Sequence, residues 1–160
     1  MNIRKNIFSA FIALWAFNVT QPVVAEDTAA TAATAAAGVV EVRVEGVSST
    51  RGKVYASIFL SAEGFPGDKR MAFAYRAVPA QDGTVLLIFE DVPAGKFVVA
   101  VLHDADENEE LSFNLLGMPK EDYGFSRGAR AMFGPPPFEK AAVSLLAGEN
   151  KKLTVKVNKA

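Results

Sequence analysis

The chain has 160 residues, half of them hydrophobic, 22% charged and none of them cysteine, with a formal net charge of −1. The absence of cysteine excludes a disulfide framework and any thiolate metal site. The charge balance offers no clustered positive surface for nucleic acid, so a nucleic-acid partner is not expected.

Residues 1–25 have the layout of an export signal. Arg4 and Lys5 form a basic start, Ile7 to Val19 an apolar run, and Val23, Val24 and Ala25 a small-residue cleavage point before Glu26. The competing reading is an uncleaved anchor, but the run is shorter than the roughly 20 residues of a spanning helix and is broken by Ser9 and Asn18. Cleavage leaves 15 basic and 18 acidic residues, a net charge of −3, and no membrane span. With no cysteine to carry a lipid, the mature chain is expected to be periplasmic or secreted. Residues 26–38 form an Ala/Thr-rich linker without an apolar stripe to dock, and residues 39–160 form the folded domain.

From Val40 the period is two. Val40, Val42 and Val44 alternate with Glu41, Arg43 and Glu45, the pattern of a half-exposed strand. KVYASIFL (53–60), MAFAYRAV (71–78), TVLLIFE (84–90), KFVVAVLH (96–103) and AAVSLL (141–146) follow, most of them separated by Gly-, Pro- and Asp-rich turns. Leu153, Val155 and Val157 repeat the alternation near the C-terminus. Seven short strands without an amphipathic helix predict an all-β fold, a seven-stranded antiparallel β-sandwich.

Two strands, VLLIF and FVVAVL, are apolar on both faces and are predicted to be covered twice. The source of the second cover is the segment Asp104 to Lys140, far longer than the roughly 4 to 6 residues of an ordinary connection. Its Leu111, Phe113, Leu115, Leu116, Met118, Phe125, Met132, Phe133 and Phe138 predict a long loop insertion folded onto the sandwich. The alternative is an oligomer interface, which leaves the chain a monomer or a weak homo-oligomer.

This segment opens with five carboxylates in seven positions, Asp104, Asp106, Glu107, Glu109 and Glu110. Asp104, Asp106 and Asn108 stand at positions 1, 3 and 5 of a calcium loop, with Glu110 at 7 to give its backbone carbonyl and Ser112 at 9 to hold a water. Alternating short oxygen side chains let a turning backbone aim every second residue at one hard cation. Asn114, Glu121 or Asp122 is left to complete the shell. Two departures oppose the reading: Glu109 replaces the glycine of the sharp turn, and Leu115 the bidentate glutamate. The bland alternative is a solvated acidic turn. Ca²⁺ is the one candidate cofactor, and a weak one.

HDADENEELSFNLLGMPKEDYGFSRGARAMFGPPPFEKAAV also carries a resemblance. His103-Asp104, Asn108, Leu111, Asn114, Gly117, Pro119, Glu121, Tyr123-Gly124-Phe125-Ser126, Pro137-Phe138-Glu139 and Ala141 fall in the order of a motif set found in an exported bacterial family. Over roughly residues 40 to 158 the chain resembles domain-of-unknown-function family 2141. The resemblance implies an immunoglobulin- or transthyretin-like sandwich with no established activity. Asp106, Glu109 and Ser112 depart from that family's Asn, Gly and Asp, which weakens any cation site.

His103, the only histidine, shares a strand face with Phe97, Val99 and Val101 and is expected to be a hydrogen-bonded rim residue. The competing reading is a small periplasmic hydrolase in which His103 activates Ser126 and Asp104 orients the ring. A single histidine and no cysteine argue against zinc. Tyr123, Arg127 and Arg130, with His103, form a candidate surface for an anionic or carbohydrate ligand, or serve as packing for the lid. The leading expectation is an exported binding or structural module rather than an enzyme, with an unknown ligand or protein partner.

Overall fold

The computed structural model describes residues 36–116, 118–132 and 134–159. The proposed signal peptide and most of the linker therefore lie outside the described residues. Among these residues there are eight strands: β1 (Gly38–Val47), β2 (Lys53–Phe59), β3 (Ala74–Pro79), β4 (Gly83–Val92), β5 (Gly95–Asp104), β6 (Asp122–Phe125), β7 (Val143–Leu145) and β8 (Asn150–Lys156). One helical turn, α1 (Phe138–Ala141), and two 3₁₀ turns, Lys69–Met71 and Ser126–Gly128, complete the regular structure. Among the described residues no helix is long and apolar enough to cross a membrane.

The strands make two sheets. One runs β4-β1-β8, and the other β3-β2-β5-β6 with β7 also paired to β5. The expected β-sandwich is thus the fold, with two differences. An eighth strand, β6, lies inside the segment read as a loop insertion, and β1 pairs with β8 in parallel rather than antiparallel. The strand read from residue 71 starts at Ala74, because Asp68 accepts the Arg70 N–H and winds Lys69–Met71 into a 3₁₀ turn.

Alternation drives the assembly. Val40, Val42 and Val44 of β1 are fully buried, and so are Val54, Ala56 and Ile58 of β2. They meet Leu87 and Phe89 of β4 and Phe97, Val99 and Val101 of β5 in one core between the sheets. Each of these Val, Ile, Leu and Phe side chains contributes about 1.5–3 kcal/mol on leaving water. On the outer face of β1, Glu41 stands opposite Lys152 and pairs with it at 3.0 Å.

Double coverage holds for β5 alone. Phe59 and Val98 point away from the main core into a second cluster with Phe125, Phe138 and Ala141. Phe65 is its hub, meeting Phe59 and Phe125 edge-on at 5.5 Å and Phe138 at 6.0 Å between ring centroids. On β4, by contrast, Leu86 and Ile88 stay exposed, since nothing among the described residues lies over them. The insertion is likewise only half a lid. Phe125 and Phe138 are buried and Leu111 half-buried, but Phe113, Leu115, Leu116, Met118 and Met132 face solvent. In its second half β6 pairs with β5 and Phe138 of α1 enters the outer cluster; its first half is held by the hydrogen bonds of the acidic loop.

Candidate functional site

The acidic loop leaves the end of β5 at Asp104 and returns to the sheet at β6. The register His103↔Asp122 sets Glu121 beside Asp104 at the mouth of that loop. Asp104 is fully buried and Glu121 is 6% exposed, whereas Asp106 is open to solvent. One carboxylate oxygen of each of these three lies within 4.8 Å of the others. Among the described residues none of the three makes an ion pair with Lys or Arg. Burial pushes the Glu121 carboxyl above its ordinary value, against two backbone N–H donors that lower it, and the negative charges of Asp106 and Asp104 push the same way.

The buried carboxylates also shape the loop. Asp104 accepts the Asn108 and Glu109 N–H groups at 3.2 and 2.8 Å, and Glu121 accepts those of Ala105 and Ser112 at 3.2 and 3.1 Å. Asp106 accepts a second bond from the Asn108 N–H. Asn108 takes the Glu110 N–H on its side-chain oxygen and donates to the Ser112 hydroxyl at 2.7 Å. Asn114 turns to its own backbone, accepting from Leu116 and Met118. Glu109, in the position of the missing glycine, adopts φ 62°, the left-handed conformation that glycine takes freely. Its carboxylate pairs with Lys69 at 2.6 Å.

Of the six residues read as ligands, Asp104 and Asp106 are brought together. Asn108 and Ser112 bond each other, Glu110 gives its amide to Asn108, and Asn114 serves the turn. Glu121, one of the three residues offered to complete the shell, joins Asp104 and Asp106. Its place depends on the β5–β6 register, which spacing along the chain does not reveal.

The β1–β2 turn closes the site from below. Gly52, at φ 71°, lies where a Cβ would come within 1.9 Å of the Asp104 carbonyl oxygen, so only glycine allows this approach. The adjoining Arg51 carbonyl accepts a bond from His103 Nε2 at 3.1 Å, and Ser48 donates to Asp122 at 2.6 Å. His103 Nδ1 is 3.7 Å from the same Asp122 oxygen. Ser48 is absent from the sequence reading, and Asp122 enters it only as a candidate for the cation shell; both gather around His103 through tertiary pairing.

His103 is 2% exposed, as a bonded rim residue rather than part of a ligand surface. Ser126 lies elsewhere. Its hydroxyl accepts the Val99 N–H at 3.1 Å and donates to the Ala141 carbonyl at 2.7 Å. Val99 is four residues from His103 along β5, about 13 Å at ~3.3 Å per residue. The structure therefore does not assemble a Ser126–His103 pair. The other candidate surface residues are also separate from the carboxylates. Tyr123 and Arg130 converge on Asn158, which bonds the Tyr123 carbonyl and accepts from Arg130, while Arg127 donates to the Ala142 carbonyl at 3.3 Å.

Comparison with curated proteins and with solved structures finds no match. A family model described as "uncharacterized protein conserved in bacteria (DUF2141)" matches residues 42–154, which span β1 to β8 and include both the carboxylate cluster and the Tyr-Gly-Phe-Ser strand. The chain belongs to that family.

Proposed function

We propose that this protein is an exported binding or structural module whose loop from Asp104 to Glu121 is braced by a weakly held calcium ion. The observation that carries the reading is the convergence of Asp104, Asp106 and Glu121, two of them buried and none of them paired with Lys or Arg among the described residues. A divalent ion turns their mutual repulsion into coordination, and Asp106 on the solvent side gives it an entry. Asn108 and Ser112, already bonded to each other, set the loop's curvature around it. Export rests on the basic–apolar–small pattern of residues 1–25 and makes the periplasm or the medium the working compartment.

A left-handed glutamate at position 109 and no glutamate at position 115 favour a dissociation constant of about 10⁻⁴ to 10⁻³ M, the weak extracellular range. At ten times that concentration, linkage stabilises the fold by about 1.4 kcal/mol. Thermal unfolding in calcium or chelator, on wild type and on Asp104→Ala with Asp106→Ala, tests the proposal. Calcium is expected to raise the wild-type midpoint by a few degrees and to leave the double variant unmoved. Equal effects of magnesium and calcium, or indifference of the wild type, reduce the loop to a self-bonded acidic turn.

The hydrolase alternative has its nucleophile and base engaged with different backbone groups. Ester and phosphoester screens on wild type and His103→Ala decide it, and equal background turnover in the two proteins removes it.

A further inference from the structure

Among the described residues β3 and β4 are each the outermost strand of their sheet, and their open edges face a common cleft. Two adjoining open hollows of about 500 Å³ each run between them. One is bounded by Phe73, Tyr75, Phe89 and Glu90, the other by Val78, Leu86 and Ile88, and Arg76 lines both. A sandwich normally guards such an edge with charge, proline or a bulge, because unpaired backbone groups recruit another strand. β3 ends in Pro79 and the β1–β4 pairing is irregular at both ends, beside Asp91 at φ 56° and at Gly83, but the β4 run from Val85 to Phe89 lies in unbroken register with β1 and has neither charge nor proline. Its outward residues Leu86 and Ile88 are 50% and 45% exposed, and Tyr75 across the cleft is 58% exposed.

Arg76 indicates what belongs there. Its guanidinium carbon lies 6.0 Å from the centre of the Phe89 ring, at the mouth of the core, and among the described residues it pairs with no carboxylate. The neighbouring cations are engaged, Lys69 with Glu109 and Arg70 with Asp68. We infer that the β3–β4 cleft is a strand-addition site for an extended peptide segment of a partner protein, apolar at alternate positions and bearing a carboxylate that meets Arg76. The open edges supply main-chain hydrogen bonds, the exposed apolar residues supply side-chain contacts, and the unpaired guanidinium selects the charge. Simple β4-to-β4 pairing of two copies would set Leu86 against Ile88 but leave Arg76 and the cleft unused. The proposal is independent of the cation loop.

The probe is a random dodecapeptide display library, selected on the wild-type domain and counter-selected on Arg76→Glu. The expected winners alternate apolar residues around an Asp or Glu. A synthetic winner, fluorescein-labelled, should bind wild type saturably by anisotropy. It should lose at least tenfold in affinity with Arg76→Gln or with Ile88→Lys. Exchanging its carboxylate for lysine should restore binding to Arg76→Glu. Amide exchange should slow in residues 74–79 and 84–90. Circular dichroism verifies that each variant is folded, and Ile88→Lys, on the opposite strand, tests the cleft without touching the cap over Phe89. No enrichment, winners without an acidic residue, equal binding to Arg76→Gln, or protection elsewhere overturns the proposal. A concentration-dependent dimer abolished by Ile88→Lys, with no peptide selected, assigns the edge to a second copy and overturns it as well.

Discussion

Replacing Ser126 with alanine is expected to destabilise the domain by about 2–4 kcal/mol. β5 pairs with β7 over Gly95–Phe97 and with β6 over Ala100–His103, so Val99 falls where neither strand offers its amide an acceptor. The Ser126 hydroxyl fills that position and hands its own proton to the Ala141 carbonyl just ahead of β7. Alanine fits the same space but leaves a buried N–H and a buried C=O without partners, each costing about 1–3 kcal/mol. For a domain of this size the thermal midpoint falls by roughly 10 °C. Urea unfolding followed by circular dichroism is the suitable assay, since the only tryptophan is residue 15, within the leader pattern. Ser144→Ala, at an exposed position of β7, is the control and should stay within about 0.5 kcal/mol of wild type. The Val99 amide should also exchange faster in the Ser126 variant. A loss below about 0.5 kcal/mol for Ser126→Ala would refute the reasoning and free this hydroxyl for another role.

Gly124→Ala puts a Cβ within 2.5 Å of the Lys156 carbonyl oxygen, where β6 crosses close to β8, and should cost about 1–3 kcal/mol in urea unfolding; an unchanged midpoint would show that the strands part easily. Glu109→Gly should raise the thermal midpoint relative to Glu109→Ala, because both lose the exposed Lys69 pair and only glycine relaxes φ 62°; equal midpoints would mean that the loop stores no strain there. In chelator, the raised carboxyl of Glu121 means that the folded state binds its proton more tightly than the unfolded chain. Its stabilising contribution is present below about pH 4.5 and is lost as pH rises through the folded value. Glu121→Gln should flatten this decline in unfolding curves collected across pH, while lowering stability throughout, because one of the two backbone N–H donors loses its acceptor. A pH dependence matching wild type would place the titration on another group.

What could be read from the sequence follows the physics of each element. Alternating valines reveal β1 whatever their neighbours, because a half-buried strand writes its two faces directly into the chain. β4 is different: Leu86 and Ile88 look covered, and no pattern distinguishes an apolar residue under a lid from one left at an open edge. β6 has only four residues, Asp-Tyr-Gly-Phe, too few for a period, and its strand character comes from pairing with β5. The same limit applies to the site. Asp104 and Asp106 declare themselves by spacing, but Glu121, Ser48 and Asp122 reach it through strand register and a glycine-dependent turn. The tyrosine-to-serine motif, which suggested catalysis, is explained at three of its four positions by packing: Gly124 admits β8, Phe125 fills the outer cluster, and Ser126 satisfies β5.

The parallel alignment of β1 with β8 has a consequence for how the chain acquires its shape. β1 is the middle strand of its sheet, and one whole edge of it waits for residues 150–156. Sequence-distant pairing of this kind slows folding, since loop-closure entropy is spent before the contacts form. During synthesis that sheet stays incomplete until residues 150–156 have left the ribosome. The alignment also separates the strand ends. Val39 sits beside Asn150 while Lys156 lies beside Glu45, six steps further on. A permuted chain joining the end of β8 to the start of β1 must therefore recross about 20 Å, and at ~3.3 Å per residue a linker shorter than about six residues would tear the two strands apart.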